Sequence, residues 1–146
     1  MTQRVPRRAW QSRAAGHRPR ILIEDSHPAL AISDFSLFEQ AGFDVAVCSG
    51  PGRDPGDCPV LHGRECAALA GADAVLHNLD PDLGIADAIR RRHPDVPVVL
   101  EVRRRDDGSL PPVAEGCVPL VYPCSVRGQI DALWRVITDR HRRPAS

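Results

Sequence analysis

Three thiols and one imidazole crowd into a single stretch of this chain. Cys48, Cys58, His62 and Cys66 follow one another with nine, three and three residues between them. Four such donors are enough for a tetrahedral Zn²⁺ site. The spacing is not that of a CxxC knuckle, so other chemistries stay open: an iron–sulfur centre, a reversible disulfide, or simply reduced and unlinked thiols. Cys58-Pro59 and His62-Gly63 allow the tight turns such a site needs. A second group of polar residues lies upstream, where Glu24 and Asp25 stand side by side with His27 two residues on. His27 reads as a surface residue beside carboxylates, although it could titrate near neutral pH. His77 reads as a satisfied core histidine next to Asn78. Nucleophile elbows, phosphate-binding loops, dinucleotide glycine fingerprints and HExxH pairs are all missing. The sequence Asp25-Ser26-His27 has triad letters, but neighbours on one turn cannot form a triad.

These residues need elements to position them. Arg20-Ile21-Leu22-Ile23 is a plain strand that ends in the acidic pair. Ser26 is a candidate helix cap, Pro28 suits a first turn, and Gly42 is a helix stop. Between them Leu30, Phe35, Leu37, Phe38 and Ala41 recur at roughly helical spacing. A second strand runs from Asp44 to Cys48, and 49–66 reads as an irregular, Gly-, Pro- and Asp-rich insertion. A short helix is expected at 66–70, a third strand at 72–78, a helix at 81–92 and a fourth strand at 96–102. Residues 103–109 read as a turn, and 111–115 as a brief helix because two prolines remove donors at its start. The fifth strand spans 118–122. Ser125 then caps an amphipathic helix with Val126, Ile130, Leu133, Trp134 and Ile137 on one face. Trp134 sits at the edge of that stripe, where it could instead serve a partner surface. Cys117 and Cys124 flank the fifth strand and are too far apart to bond to each other.

Short apolar strands separated by helices predict an α/β fold with a parallel sheet. The expected architecture is flavodoxin-like and doubly wound, five strands in the order 2-1-3-4-5 with helices on both faces. Working residues in such sheets lie beyond the carboxyl ends of the strands. The chain of 146 residues suits one domain. Its domain spans 20–139, between a basic tail at 1–19 and another at 140–146.

Charge is distributed unevenly. All 19 basic residues are arginine, and nine of them lie within 1–20 and 140–143, where no acid occurs. The segment between is therefore strongly acidic and should repel nucleic acid, so polyanion contact is expected only through the basic tails. No run approaches the length of a membrane span. Arg7-Arg8 is not followed by an apolar segment, so the chain reads as cytoplasmic.

The ordered motifs resemble a response-regulator receiver domain across roughly 20–139. Ile21-Leu22-Ile23-Glu24-Asp25 is similar to the family's first strand and its acidic pair. Residues 37–45 resemble its first helix end and second strand, 72–79 its third strand, 93–100 the entry to its fourth, and 116–123 its fifth strand. The resemblance implies a two-component signalling role rather than an enzymatic one, with output through the family's fourth helix, fifth strand and fifth helix. It also exposes departures. The family's phosphoryl-accepting aspartate corresponds to Asn78, and a carboxamide cannot form an acyl phosphate. The supporting Ser or Thr corresponds to Val102, or to Glu101 if the match shifts by one, and the Lys before proline corresponds to Tyr122. Glu24, Asp25, Asn78, Val102 and Tyr122 thus form a degenerate pocket. Mg²⁺ binding at the acidic pair should be weak, unless Asp80 or Asp82 lies close by. The expectation is a stand-alone pseudo-receiver that works through a protein partner or a homodimer without Asp phosphorylation. The alternative is a cysteine-based metal or redox sensor on the same scaffold.

Overall fold

The computed structural model describes residues 18–51 and 58–142, with the backbone alone for 28–33. The expectations for residues 1–17, 52–57 and 143–146, Trp10 included, lie outside the described residues. Five parallel strands form one sheet: β1 (Arg20–Asp25), β2 (Asp44–Cys48), β3 (Ala74–Asn78), β4 (Val98–Val102) and β5 (Cys117–Val121). Their order is β2-β1-β3-β4-β5, as the sequence predicts. The helices are α1 (Pro28–Gln40), α2 (Ala67–Ala70), α3 (Ile85–Arg92) and α4 (Val126–Arg142).

The strands are apolar on both sides because both sides are covered. Ile21 and Ile23 of β1 point into one layer with Leu76, Val99, Phe38 of α1, and Leu133 and Ile137 of α4. Leu22 points the other way, against Val75, Val98, Leu69 of α2, and Ile85 and Ile89 of α3. Pro28 opens α1 as expected, but His27 rather than Ser26 is its cap residue and makes no capping bond from its side chain. Gly42 ends that helix with φ +105°, a conformation that favours glycine. Trp134 belongs to the core. Its ring stacks on Phe43 at 4.6 Å, and its Nε1–H donates to the Ala41 carbonyl at 3.2 Å. Ser125 does cap α4, accepting from the Gly128 amide at 3.0 Å.

Four expectations shift. The helix expected at 81–92 divides into a 3-10 turn, Pro81–Leu83, and α3, because Gly84 between them takes φ +70°. The insertion holds a second 3-10 turn at Pro59–His62. The basic C-terminal tail begins later than residue 140. Arg140 is still helical and donates to the Asp73 carbonyl and the Asp95 carboxylate. The brief helix expected at 111–115 does not form. Two consecutive prolines deny it donors, and the upstream chain closes its own turn through Arg105 N to Ser109 O at 2.8 Å and Gly108 N to Arg105 O at 2.8 Å. Arg90 of α3 fastens this crossover, donating to Glu115 O at 3.1 Å and to Val96 O at 2.8 Å. Its guanidinium lies so close to Gly116 (φ +85°) that a Cβ there would collide with it. Among the described residues, no helix is long and apolar enough to cross a membrane.

Phe43 is fully buried and ties the α1–β2 turn to α4. Phe43→Ala is expected to lower the unfolding free energy by about 3–5 kcal/mol in urea titration.

Candidate functional site

At the carboxyl edge of the sheet, side chains alternate between the two layers. The last residues of β1, β3 and β4 are thereby sorted into two groups. Asp25, Asn78 and Glu101 follow the parity of Ile23, Leu76 and Val99 and face the α1/α4 layer. Glu24, His77 and Val102 follow the parity of Leu22, Val75 and Val98 and face the α2/α3 layer.

The first group borders a small cavity of ≈ 30 Å³, lined by Asp25, Asp34, Asn78 and Gln129 over a floor that includes Ile23, Phe38 and Leu76. That volume suits a water molecule or two rather than an organic substrate. Asp34 and Phe38 stand one helical turn apart on α1, and both line the cavity. Asp25 Oδ1 accepts from the His27 amide at 2.8 Å, and the His27 ring is exposed. Gln129 of α4 donates its side-chain amide to the Glu101 carboxylate. Among the described residues, two carboxylates and two carboxamides line the cavity, and no cation does. The His27 ring nitrogen stands 3.8 Å from Asp25 Oδ1. The Arg103 guanidinium lies 3.9 Å over the exposed Tyr122 ring, just past the ends of β4 and β5.

The predicted pocket is therefore only partly assembled. Asn78 is in register with Asp25. Glu24 and Val102 point through the sheet to the opposite layer, because each is one residue out of phase with its pocket neighbour. Glu101, the shifted match, stands on the pocket side. Tyr122 is at the rim, and the Tyr122–Pro123 peptide is cis. Asp80 is spent on its own turn, accepting from the Asp82 amide at 2.9 Å, and neither residue lines the cavity. Asp34 and Gln129 were missed. The signal for Asp34 was its spacing of four from Phe38, and for Gln129 its spacing of four from the Ser125 cap.

The second group is buried. His77 Nδ1 and Glu24 Oε1 are 2.8 Å apart, with the imidazole 1% exposed. His77 is thus the satisfied core histidine that its position predicts. Cys48 is the register partner of Glu24 on the other flank, so Cys48, Glu24 and His77 run in a row across β2, β1 and β3. Cys58 and Cys66 pack against the same apolar cluster as Cys48. Burial pushes the Cys48 thiol up to about 11. The Gly50 amide, 3.4 Å from its sulfur, partly offsets this, and Glu24, Cys66 and Cys58 add to it. Burial also raises Cys58, Cys117 and Cys124. Resting thiols of this kind are poor nucleophiles. All five cysteines are free. The predicted Cys48, Cys58, His62 and Cys66 set does not stand as a ready tetrahedron. His62 is exposed while the three sulfurs turn inward, and among the described residues no group of three or more His, Cys, Asp or Glu is arranged to hold a metal ion.

The geometry places this edge beside a well-populated group of solved structures. A sensor protein from Polaromonas sp. JS666 is 23% identical, with 84% of this chain and 98% of that one covered at a TM-score of 0.60. A response regulator receiver protein from Sinorhizobium medicae WSM419 is 18% identical, with 84% and 97% covered at 0.58. A CheY-like receiver domain protein from Methanospirillum hungatei JF-1 is 11% identical, with 86% and 98% covered at 0.57. The fold is that of a receiver domain. No family model and no curated protein matches the chain.

The Glu24–His77 pair is expected to show strong coupling. Glu24→Leu and His77→Leu should each cost about 3 kcal/mol, because each strands a buried polar partner. The double replacement should cost far less than the sum, as read by urea denaturation of all four proteins.

Proposed function

We propose that this domain is a pseudo-receiver, a regulatory protein-interaction module that does not take up phosphate on an aspartate. One observation supports this above the rest. At the end of β3, in register with Asp25 and on the pocket face, stands the carboxamide of Asn78. An amide has neither the charge nor the nucleophilic oxygen for acyl phosphate formation. Asp25 and Asp34 could together attract Mg²⁺, but Asn78 offers only a neutral oxygen and Glu24 faces away, so binding there is weak. Repulsion from the two acids opposes an incoming phosphate, and among the described residues no cation in the cavity lining offsets it.

Output then depends on a surface. With no helix in the β4–β5 crossover, β5 is an open edge flanked by Leu110, Val118 and Tyr122, all exposed. Pro119 sits mid-strand and has no N–H to give, so a further strand pairing here would lack a donor at that position. A partner then docks chiefly through side chains. The exposed Arg103, Arg104 and Arg105 beside the patch favour an acidic one, either a second protein or the acidic body of a second copy. Because no helix stands between β4 and β5, the corresponding face here is built from β5, the β4–β5 segment and α4.

Incubation with acetyl phosphate and Mg²⁺ is expected to leave the protein's mass unchanged. A stoichiometric, hydroxylamine-labile adduct would overturn the reading. Val118→Arg is expected to weaken self-association in sedimentation by roughly tenfold, about 1.4 kcal/mol, without changing the melting temperature. An unaffected dimer would place the contact elsewhere.

A further inference from the structure

We infer that the amino edge of the sheet, at the far end of the strands from the Asn78 cavity, is a docking surface for the phosphate backbone of nucleic acid. It uses none of the side chains on which the pseudo-receiver reading rests.

The fold gathers arginines at that edge. The five strands are parallel and the helices run back between them, so α3 and α4 end where strands begin. α3 ends in Arg90-Arg91-Arg92 and α4 in Arg140-His141-Arg142. Hydrogen bonds fix their place. Arg90 donates to Val96 O, just before β4, and Arg140 to Asp73 O, just before β3. Arg18, just before β1, donates to Glu39 O in the last turn of α1. The described residues thus begin, at Arg18, and end, at Arg142, on the same edge. Segments 1–17 and 143–146 continue from these two points. Between them they hold Arg4, Arg7, Arg8, Arg13 and Arg143, with no Asp or Glu.

The edge's own charges are close to balanced. Glu65 is paired with Arg92 at 3.1 Å and lies 3.3 Å from His93, and Asp95 is paired with Arg140 at 3.2 Å. Arg91 and Arg142 are exposed and have no partner among the described residues. Glu39, Asp44, Glu115 and Asp139 also stay exposed there. The arginines of the two flanking segments are therefore uncompensated, and they make the whole edge cationic. The acids at the other edge are too distant to cancel this. Asp25 and Glu101 stand at the far ends of strands of six and five residues, about 17 Å away. Screening at physiological salt acts over about 8 Å.

The residue type selects the partner. The chain has no lysine, and the planar fork of arginine pairs bidentately with phosphate oxygens. Duplex nucleic acid presents about one charge per 1.7 Å, a continuous anion suited to segments that hold no acid of their own. Segment 1–17 has only Met1, Val5 and Trp10 as large apolar residues, too few for an apolar face lying in a membrane surface.

Fluorescence anisotropy of the full chain with a labelled, mixed-sequence DNA duplex tests the surface. Affinity is expected to fall roughly a thousandfold between about 50 and about 200 mM salt. Replacing Arg91→Gln and Arg142→Gln together removes no ion pair seen in the fold. It should weaken binding roughly tenfold or more and reduce the salt slope by about two, at an unchanged melting temperature. Arg7→Gln with Arg8→Gln should act alike. Glutamines at Arg103, Arg104 and Arg105, on the opposite edge, should leave binding unaltered. No binding at the lower salt, salt-independent binding, or binding indifferent to Arg91 and Arg142 would each overturn the amino-edge surface. So would a loss that follows Arg103, Arg104 and Arg105 instead, or retention on phosphatidylserine vesicles without duplex binding.

Discussion

Everything at the working edge of this protein follows from the two-residue repeat of a strand. A parallel sheet covered on both faces must send successive side chains into opposite layers. Where β1 ends in Glu24-Asp25 and β3 in His77-Asn78, adjacent residues in sequence are separated by the full thickness of the sheet. Asp25 and Asn78 meet Asp34 and Gln129 in a small surface cavity. Glu24 and His77 are withdrawn from water and satisfy each other beside Cys48. Two chemistries thus share one set of strand ends without sharing a site.

The second organising feature is the crossover between β4 and β5. A helix there would bury the outer part of the sheet, but a loop held by Arg90 covers only some of it. Val102 is still nearly excluded from solvent, whereas Leu110, Val118 and Tyr122 are not. The sheet keeps its core and gives up its margin. Pro119 weakens backbone pairing at that exposed edge by removing one donor. The margin is left as a side-chain surface next to three arginines, set apart from both polar clusters.

The strands were the most legible part of the fold. Runs such as Ile21-Leu22-Ile23 and Val98-Val99-Leu100 can only be buried, and their spacing leaves room for the helical crossovers that parallel strands require. The helix at 126–142 was legible from its stripe and from Ser125. Less legible was any element whose fate depended on local donors. The prolines at 111 and 112 could open a helix or preclude one, and the upstream turn through Arg105 and Ser109 decided against it. The packing of Trp134 was not legible, since only folding brings Phe43 and the Ala41 carbonyl within its reach. In the pocket, the phase of the strands was the part that the sequence left open. Whether Val102 or Glu101 faces Asn78 depends on register with β3, which one strand's sequence does not specify.

From its sequence alone, this chain determines an α/β sheet of five strands and a neutral carboxamide, Asn78, at the end of the third. Those facts need only local periodicity and the identity of one side chain. Tertiary structure decided which carboxylates surround that amide. It brought in Asp34 and Gln129 from helices distant in sequence and sent Glu24 to the other layer. It also brought Cys48, Cys58 and Cys66 against one core while leaving His62 outside it. Such groupings depend on which layer each residue enters, a choice made when helices pack on the two faces of the sheet and one that no spacing along the chain encodes.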